Sequence, residues 1–154
     1  GLACQEERTI LFTIDHHRGS EENQPGWDYH DTDLWQKSIG AMETLPYLRQ
    51  TLHQARLEDT VIPIVGPSEI VARHWRTPLA LLFIDGGDTM GAGLTDYRLW
   101  HPQLGRGGLL AIHDVFPDPA DGGRAPYDIY KMALNSGLFE ELKAVKSLRL
   151  LQRI

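Results

Sequence analysis

Cysteine is nearly absent: Cys4 is the one thiol in 154 residues. It cannot close an internal disulfide, so no disulfide framework holds this fold, and the cytoplasm is the expected compartment. Long hydrophobic runs are missing too. No apolar stretch nears the roughly 20 residues that a membrane helix needs, and the first residues show no signal-peptide pattern. No membrane partner is therefore expected. Positive charge is not in excess: the net charge is −6, which gives no general electrostatic reason to hold nucleic acid. The chain opens Gly1-Leu2-Ala3-Cys4 without Met, which suggests a truncated or processed start.

What is present suits a globular protein. Hydrophobic residues make up 42% and charged residues 23%, both ordinary values for a folded domain. The length fits one domain, 1–154, able to bury about 70% of its unfolded surface. Two stretches stand out: Leu79-Ala80-Leu81-Leu82-Phe83-Ile84-Asp85-Gly86-Gly87 and Gly107-Gly108-Leu109-Leu110-Ala111-Ile112-His113-Asp114. Each is a continuous apolar run that stops abruptly at acidic or imidazole groups. Runs without polar alternation suit strands buried on both faces of a parallel sheet. Neighbouring strands of this kind would bring Asp85, His113 and Asp114 together at their C-terminal ends, where open α/β sheets bind ligands.

The rest of the chain alternates strands and helices. Thr9–Ile14 reads as a strand ending at Asp15. Residues 16–40 form a long loop rich in turn formers, aromatics and charge. A helix is expected from Met42 to Arg56, with Leu45, Leu48, Leu52 and Ala55 on one face. Val61–Val65 reads as a strand, and Ser68 as the N-cap of a helix over Glu69–Trp75. Leu94–Leu104 is amphipathic and reads as helix, with Leu109–Ile112 the next strand. Pro126 suits the start of a helix to Asn135, and Gly137 its C-cap. Phe139–Val145 and Ser147–Gln152 close the chain as an antiparallel pair. The pattern is α/β, doubly wound, with a terminal hairpin.

In order and spacing, Asp15-His16-His17-Arg18-Gly19-Ser20-Glu21-Glu22, Phe83-Ile84-Asp85-Gly86-Gly87 and Ala111-Ile112-His113-Asp114-Val115-Phe116-Pro117 resemble class I S-adenosylmethionine-dependent methyltransferases. The similarity is closest to the group described as methyltransferase-24-like, and it covers nearly the whole chain. It implies a Rossmann-like sheet with a C-terminal antiparallel hairpin. Two departures stand against the family pattern. The first strand and the glycine-rich turn that wraps the methionine end of the cofactor are missing, and Gly1–Glu7 reads as the tail of the helix after them. That strand would lie between those ending at Asp15 and Ile84, so its loss implies weak cofactor binding and association of this chain, with a homo-oligomer among the outcomes. The second departure is Asp88, where relatives carry His after Asp-Gly-Gly.

The resemblance implies S-adenosylmethionine as cofactor and a small-molecule methyl acceptor. Asp15, at a strand end, can accept hydrogen bonds from a ribose diol; a turn-capping Asp is the alternative. His16 stands beside it, but adjacent histidines point opposite ways if extended, so at most one of His16 and His17 faces a site. Gly66 and Ser68 lie where the resemblance puts the adenine, and Ser68 also suits a plain N-cap. Asp85 joins the cofactor-binding set as well as the catalytic pair, Asp85 and His113.

Asp85, His113 and Asp114 together suit a divalent cation. Two carboxylates suffice for Mg²⁺, while the imidazole favours Mn²⁺, Fe²⁺ or Zn²⁺. In metal-dependent O-methyltransferases such an ion activates the acceptor hydroxyl. Alternatively, Asp85 caps a turn and His113 bonds to backbone. Trp27, Tyr29 and Trp35 could line an acceptor pocket or anchor their loop, and Arg124 could pair with a substrate anion or make a surface contact. The reading is methyl transfer to a hydroxyl. Two others stay open: a non-catalytic truncated homologue acting in assembly, and a metal-dependent hydrolase built on Asp85, His113 and Asp114.

Overall fold

The computed structural model describes residues 1–85, 90–118, 121 and 124–154. Gly86, Gly87 and Asp88 of the Asp-Gly-Gly segment lie outside them. The chain divides into two compact units, Gly1–Val71 and Ala72–Ile154.

The first unit carries α1 (Leu2–Glu6), β1 (Leu11–Asp15), the short strands β2 (Trp35–Gln36) and β3 (Ala41–Met42), α2 (Leu45–Gln54) and β4 (Val61–Val65); α3 (Ser68–His74) crosses the boundary. β1 and β4 pair in parallel, from Leu11 opposite Val61 to Asp15 opposite Val65. Pro63 sits inside β4 without breaking this ladder. Thr60 accepts from Leu11 N–H and Gly66 donates to Asp15 O, so the even-numbered residues of β4 face β1. Pro63 therefore turns its missing donor away, as a proline in an edge strand must. Leu52, Leu57 and Val61 form a small buried cluster, packed by Leu11 and Leu48.

The loop from 16 to 40 contains more order than its composition suggests. The β2–β3 hairpin pairs Trp35 with Met42. His17 is buried, and its Nδ1 lies 2.7 Å from Thr44 Oγ1. Arg18 donates to Glu43 Oε2 at 2.8 Å and to Met42 O at 3.1 Å. Trp27 and Tyr29 stay exposed and do not anchor the loop, whereas Trp35 meets the edge of His30.

The second unit contains β5 (Leu79–Ile84), α4 (Met90–Trp100), β6 (Leu104–Ile112), α5 (Ala125–Asn135), β7 (Phe139–Val145) and β8 (Leu148–Arg153). Its sheet runs β5-β6-β8-β7. β5 and β6 are parallel, and β8 is antiparallel to both β6 and β7. One face buries Ile84, Leu110, Ile112 and Leu151 with Tyr97 of α4 and with Ile129 and Ala133 of α5. On the other face Leu81 and Phe83 are about half exposed, at 50% and 53%. Ile84 O accepts from His113 N–H, so the amides of Leu81 and Phe83 face away from β6. Among the described residues, β5 has no strand on that side, and β1 has none opposite β4.

β6 begins five residues earlier than its apolar run. Leu104 pairs with Leu79, but the next pair is Leu81 with Leu109, so three extra residues of β6 bulge out. Glycines permit the bulge: Gly107 has φ +78°, and a Cβ on Gly108 would stand 2.8 Å from Gly105 O. The preceding helix stops at Trp100 rather than Leu104, because Pro102 sits in a 3₁₀ turn over His101–Gln103. α5 matches expectation, with Pro126 in its first turn and Gly137 at φ +70° beyond its end. No helix among the described residues is long and apolar enough to cross a membrane.

Candidate functional site

The predicted residues fall into two groups, one in each unit. In the first unit, Asp15 ends β1 and Gly66 follows β4, joined by Gly66 N–H to Asp15 O at 3.1 Å. The Asp15 carboxylate also accepts the His17 amide at 2.9 Å, a local turn that bends the chain off the strand. His17 adopts φ +59° and points inward, while His16 stays exposed. The left-handed backbone at His17 takes this pair out of the extended case, and both Nδ1 atoms lie 3.8 Å from the Asp15 carboxylate. Half of the Asp15 side-chain surface remains open, 53%, so one of its oxygens can still take a ligand hydroxyl. Ser68 opens α3 as its first residue.

In the second unit, Asp85, His113 and Asp114 converge. Each offers a ligand atom, and these atoms lie within 4.8 Å of one another. The parallel pairing explains the convergence of two of them: Ile84 is level with Ile112, so Asp85 and His113 follow from adjacent strand ends. Asp114 needs more. Consecutive residues of an extended strand point to opposite faces, yet the Asp114 carboxylate lies 3.2 Å from His113 Nδ1. Asp114 adopts φ +54°. This left-handed kink, costly for a residue with a side chain, turns the chain so that both groups share one side. Val115 N–H donating to Ser147 O at 2.9 Å holds the turn from behind.

His113 Nδ1 lies 2.9 Å from Asp85 Oδ1 and 3.2 Å from Asp114 Oδ1. Neither approach has hydrogen-bond geometry, and among the described residues the buried nitrogen has no hydrogen-bond partner. A buried nitrogen left in this state is unfavourable. The nitrogen faces two carboxylate oxygens, and a cation among the three groups would meet a donor atom from each. Phe83 meets the imidazole edge-on at 6.4 Å. The donor set thus fits a divalent metal ion.

Two features were not singled out in the sequence. The kink at Asp114 leaves no compositional mark. His101 is stacked on Tyr97 at 4.6 Å and meets Phe139 edge-on, and among the described residues its buried Nδ1 has no hydrogen-bond partner. Burial, reinforced by the Arg153 charge, pushes its pKa below the ordinary value. Arg124 is bound at Nε to Asp128 Oδ1, 2.8 Å away, and lies over Tyr127.

Residues 1–115 match the family described as "Methyltransferase domain". The chain belongs to this family. Solved structures with the same fold include the O-methyltransferase NovP, at 15% identity and TM-score 0.63; 94% of this chain is covered and 60% of NovP. The methyltransferase PaMTH1 of Podospora anserina, solved with SAH bound, has 12% identity and TM-score 0.61, covering 99% of this chain and 75% of that one. An rRNA methylase of Streptococcus thermophilus has 16% identity and TM-score 0.54, with 94% and 87% covered. This methyltransferase-family chain thus has the class I Rossmann-like fold expected from its strand ends. It spans 60% of the length of NovP.

Proposed function

We propose that this protein transfers the methyl group of S-adenosylmethionine to a hydroxyl of a small molecule, assisted by a divalent cation held by Asp85, His113 and Asp114. One observation carries the reading: the three groups meet at the ends of β5 and β6 around a buried imidazole nitrogen that has no hydrogen bond among the described residues. Family membership supplies the methyl-transfer chemistry. When bound, a divalent ion lowers the pKa of a hydroxyl it contacts and steadies the resulting anion.

The chain's own residues do the positioning. Asp15 accepts a ribose hydroxyl through the carboxylate oxygen left over from the His17 turn, with the exposed His16, Gly66 and Ser68 around the same strand ends. Asp85 and His113 orient the acceptor. The acceptor oxygen would attack the sulfonium methyl carbon that S-adenosylmethionine supplies, the carbon–sulfur bond would break to leave S-adenosylhomocysteine, and the hydroxyl proton would pass to solvent. A small acceptor is favoured over RNA by the net charge of −6. The lone cysteine suits the cytoplasm.

The test is transfer of labelled methyl from S-adenosylmethionine to a panel of phenolic and sugar hydroxyls, using protein expressed from its complete gene. Asp114→Ala should lower the rate by roughly 100-fold or more, a loss typical of a removed electrostatic group. Cofactor binding should hold and the domain should stay folded, because Asp114 lies beyond the core strand. Full activity in excess chelator would remove the ion from the mechanism; lack of cofactor binding would remove methyl transfer itself.

A further inference from the structure

The three groups that face one another at the ends of β5 and β6 are not chemically alike. Asp85 and Asp114 present hard carboxylate oxygens, and His113 presents a nitrogen. Mg²⁺ seeks oxygen, demands near-octahedral geometry and gives up water reluctantly. Imidazole suits first-row transition ions, whose affinity for mixed nitrogen and oxygen sites rises from Mn²⁺ along the series. The nature of the third donor therefore decides which ion a site of this shape prefers.

The fold gives His113 little freedom to withdraw. Its amide is tied to Ile84 O at 3.1 Å, and the next amide but one is tied to Ser147. Phe83 stands against the ring edge. It is Nδ1, the nitrogen nearer the backbone, that points between the carboxylates, and that atom is buried while the ring as a whole is 42% exposed. Water thus reaches the outer part of the ring but not the nitrogen in question. An ion bound by Asp85 and Asp114 would meet Nδ1 rather than a water in its place.

Resting on the metal reading above, we infer that this site selects a transition-metal ion over Mg²⁺ through His113 Nδ1, with Mn²⁺ as the representative. Asp85 and Asp114 set the charge that draws any divalent ion; His113 sets the choice among them. The kink at Asp114 is what permits this set, because without it the second carboxylate would point to the far face of the strand.

The experiment is calorimetric titration of metal-stripped protein with MnCl₂ and with MgCl₂. Loss of the free-ion electron paramagnetic resonance signal gives a second reading of bound Mn²⁺. Mn²⁺ should bind roughly tenfold tighter than Mg²⁺ or better, because Mg²⁺ gives up water for a nitrogen donor reluctantly. His113→Asn should weaken Mn²⁺ more than Mg²⁺ and bring the two affinities together. Asp114→Asn should weaken both alike, and circular dichroism checks that each variant is folded. Equal or tighter Mg²⁺ binding in the unaltered protein, an unchanged ratio in His113→Asn, or binding of neither ion would each overturn the inference. S-adenosylmethionine binding measured on the same samples separates the two readings. Cofactor binding and methyl transfer without any bound ion would discard the ion and keep the enzyme; ion selection without cofactor binding would do the reverse.

Discussion

The two units each contain one parallel strand pair, and they stabilise it by different means. In Ala72–Ile154 the β5–β6 pair is extended by two antiparallel strands and covered on one face by α4 and α5. Among the described residues, ten buried ones join in one cluster. In Gly1–Val71 the β1–β4 pair forms a two-stranded sheet, and its core cluster has three buried residues. The long loop of that unit is held instead by polar contacts such as Arg18 to Glu43 and His17 to Thr44. A net gain of about 1 kcal/mol is typical of such a hydrogen bond, and less of an exposed ion pair. Burying one large aliphatic side chain contributes about 1.5–3 kcal/mol. The second unit should therefore be the more resistant, and the residues proposed to hold the metal follow from the ends of its parallel pair.

Cavity-forming substitutions break or sharpen this contrast most strongly. Ile112 is fully buried between α5 and the sheet, so Ile112→Ala should cost about 4 kcal/mol. Leu52 lies in the small cluster with more room to collapse, so Leu52→Ala should fall near the lower end of the same range, about 2 kcal/mol. Denaturant unfolding gives both values, and amide exchange followed through each unit shows which opens first. A larger loss from Leu52→Ala, or faster exchange in β6 than in β1, would reverse the comparison.

The bulge in β6 gives a smaller effect. A Cβ at Gly108 meets Gly105 O at 2.8 Å and Leu79 O at 3.3 Å. Both are backbone atoms of the ladder and cannot swing aside. Gly108→Ala should destabilise by about 1–3 kcal/mol, as overpacking does. Gly105 has nothing within 4 Å of a built Cβ, and Gly105→Ala should stay within about 0.5 kcal/mol of neutral. Matching losses at the two glycines would show that the bulge is loose and that the sheet around β6 is less rigid than its burial implies.

The same bulge shows where a sequence stops being readable. Leu79–Ile84 and Leu109–Ile112 announce themselves as unbroken apolar runs, although one face of β5 leaves Leu81 and Phe83 half exposed. Their abrupt ends at Asp85 and His113-Asp114 mark the candidate site. Leu104–Gly108 carries three glycines and an arginine, and Leu104 reads as the end of a helix; its place in the strand rests on pairing with distant Leu79. The order in residues 16–40 escaped for a similar reason: the partners of His17 and Arg18 lie some 25 positions away. Asp114 was visible as a carboxylate but not as a kink, since its left-handed conformation has no glycine to signal it.

Acid should narrow the difference between the units. His101 packs against Tyr97 and Phe139, and Arg153 Nη1 donates to the carbonyls of His101, Pro102 and Leu104. Burial first, and then the Arg153 charge, hold its pKa below the ordinary 6.5; its own backbone contact opposes them weakly. In the unfolded chain the imidazole takes its proton as pH falls through 6.5, whereas the folded protein resists until a lower pH. Between those two points the unfolded state binds more protons, so stability declines as pH falls, and the decline levels off below the folded pKa. The second unit should thus lose stability from pH 7 towards pH 5 by a step that His101→Phe removes. Phenylalanine keeps the ring stack and discards the titrating nitrogen. Thermal unfolding across that range, with exchange at β6 and β8 amides as the local probe, gives the slope for each protein. An identical slope in His101→Phe would show that the step comes from other groups and that the ring contacts of His101 carry no pH dependence.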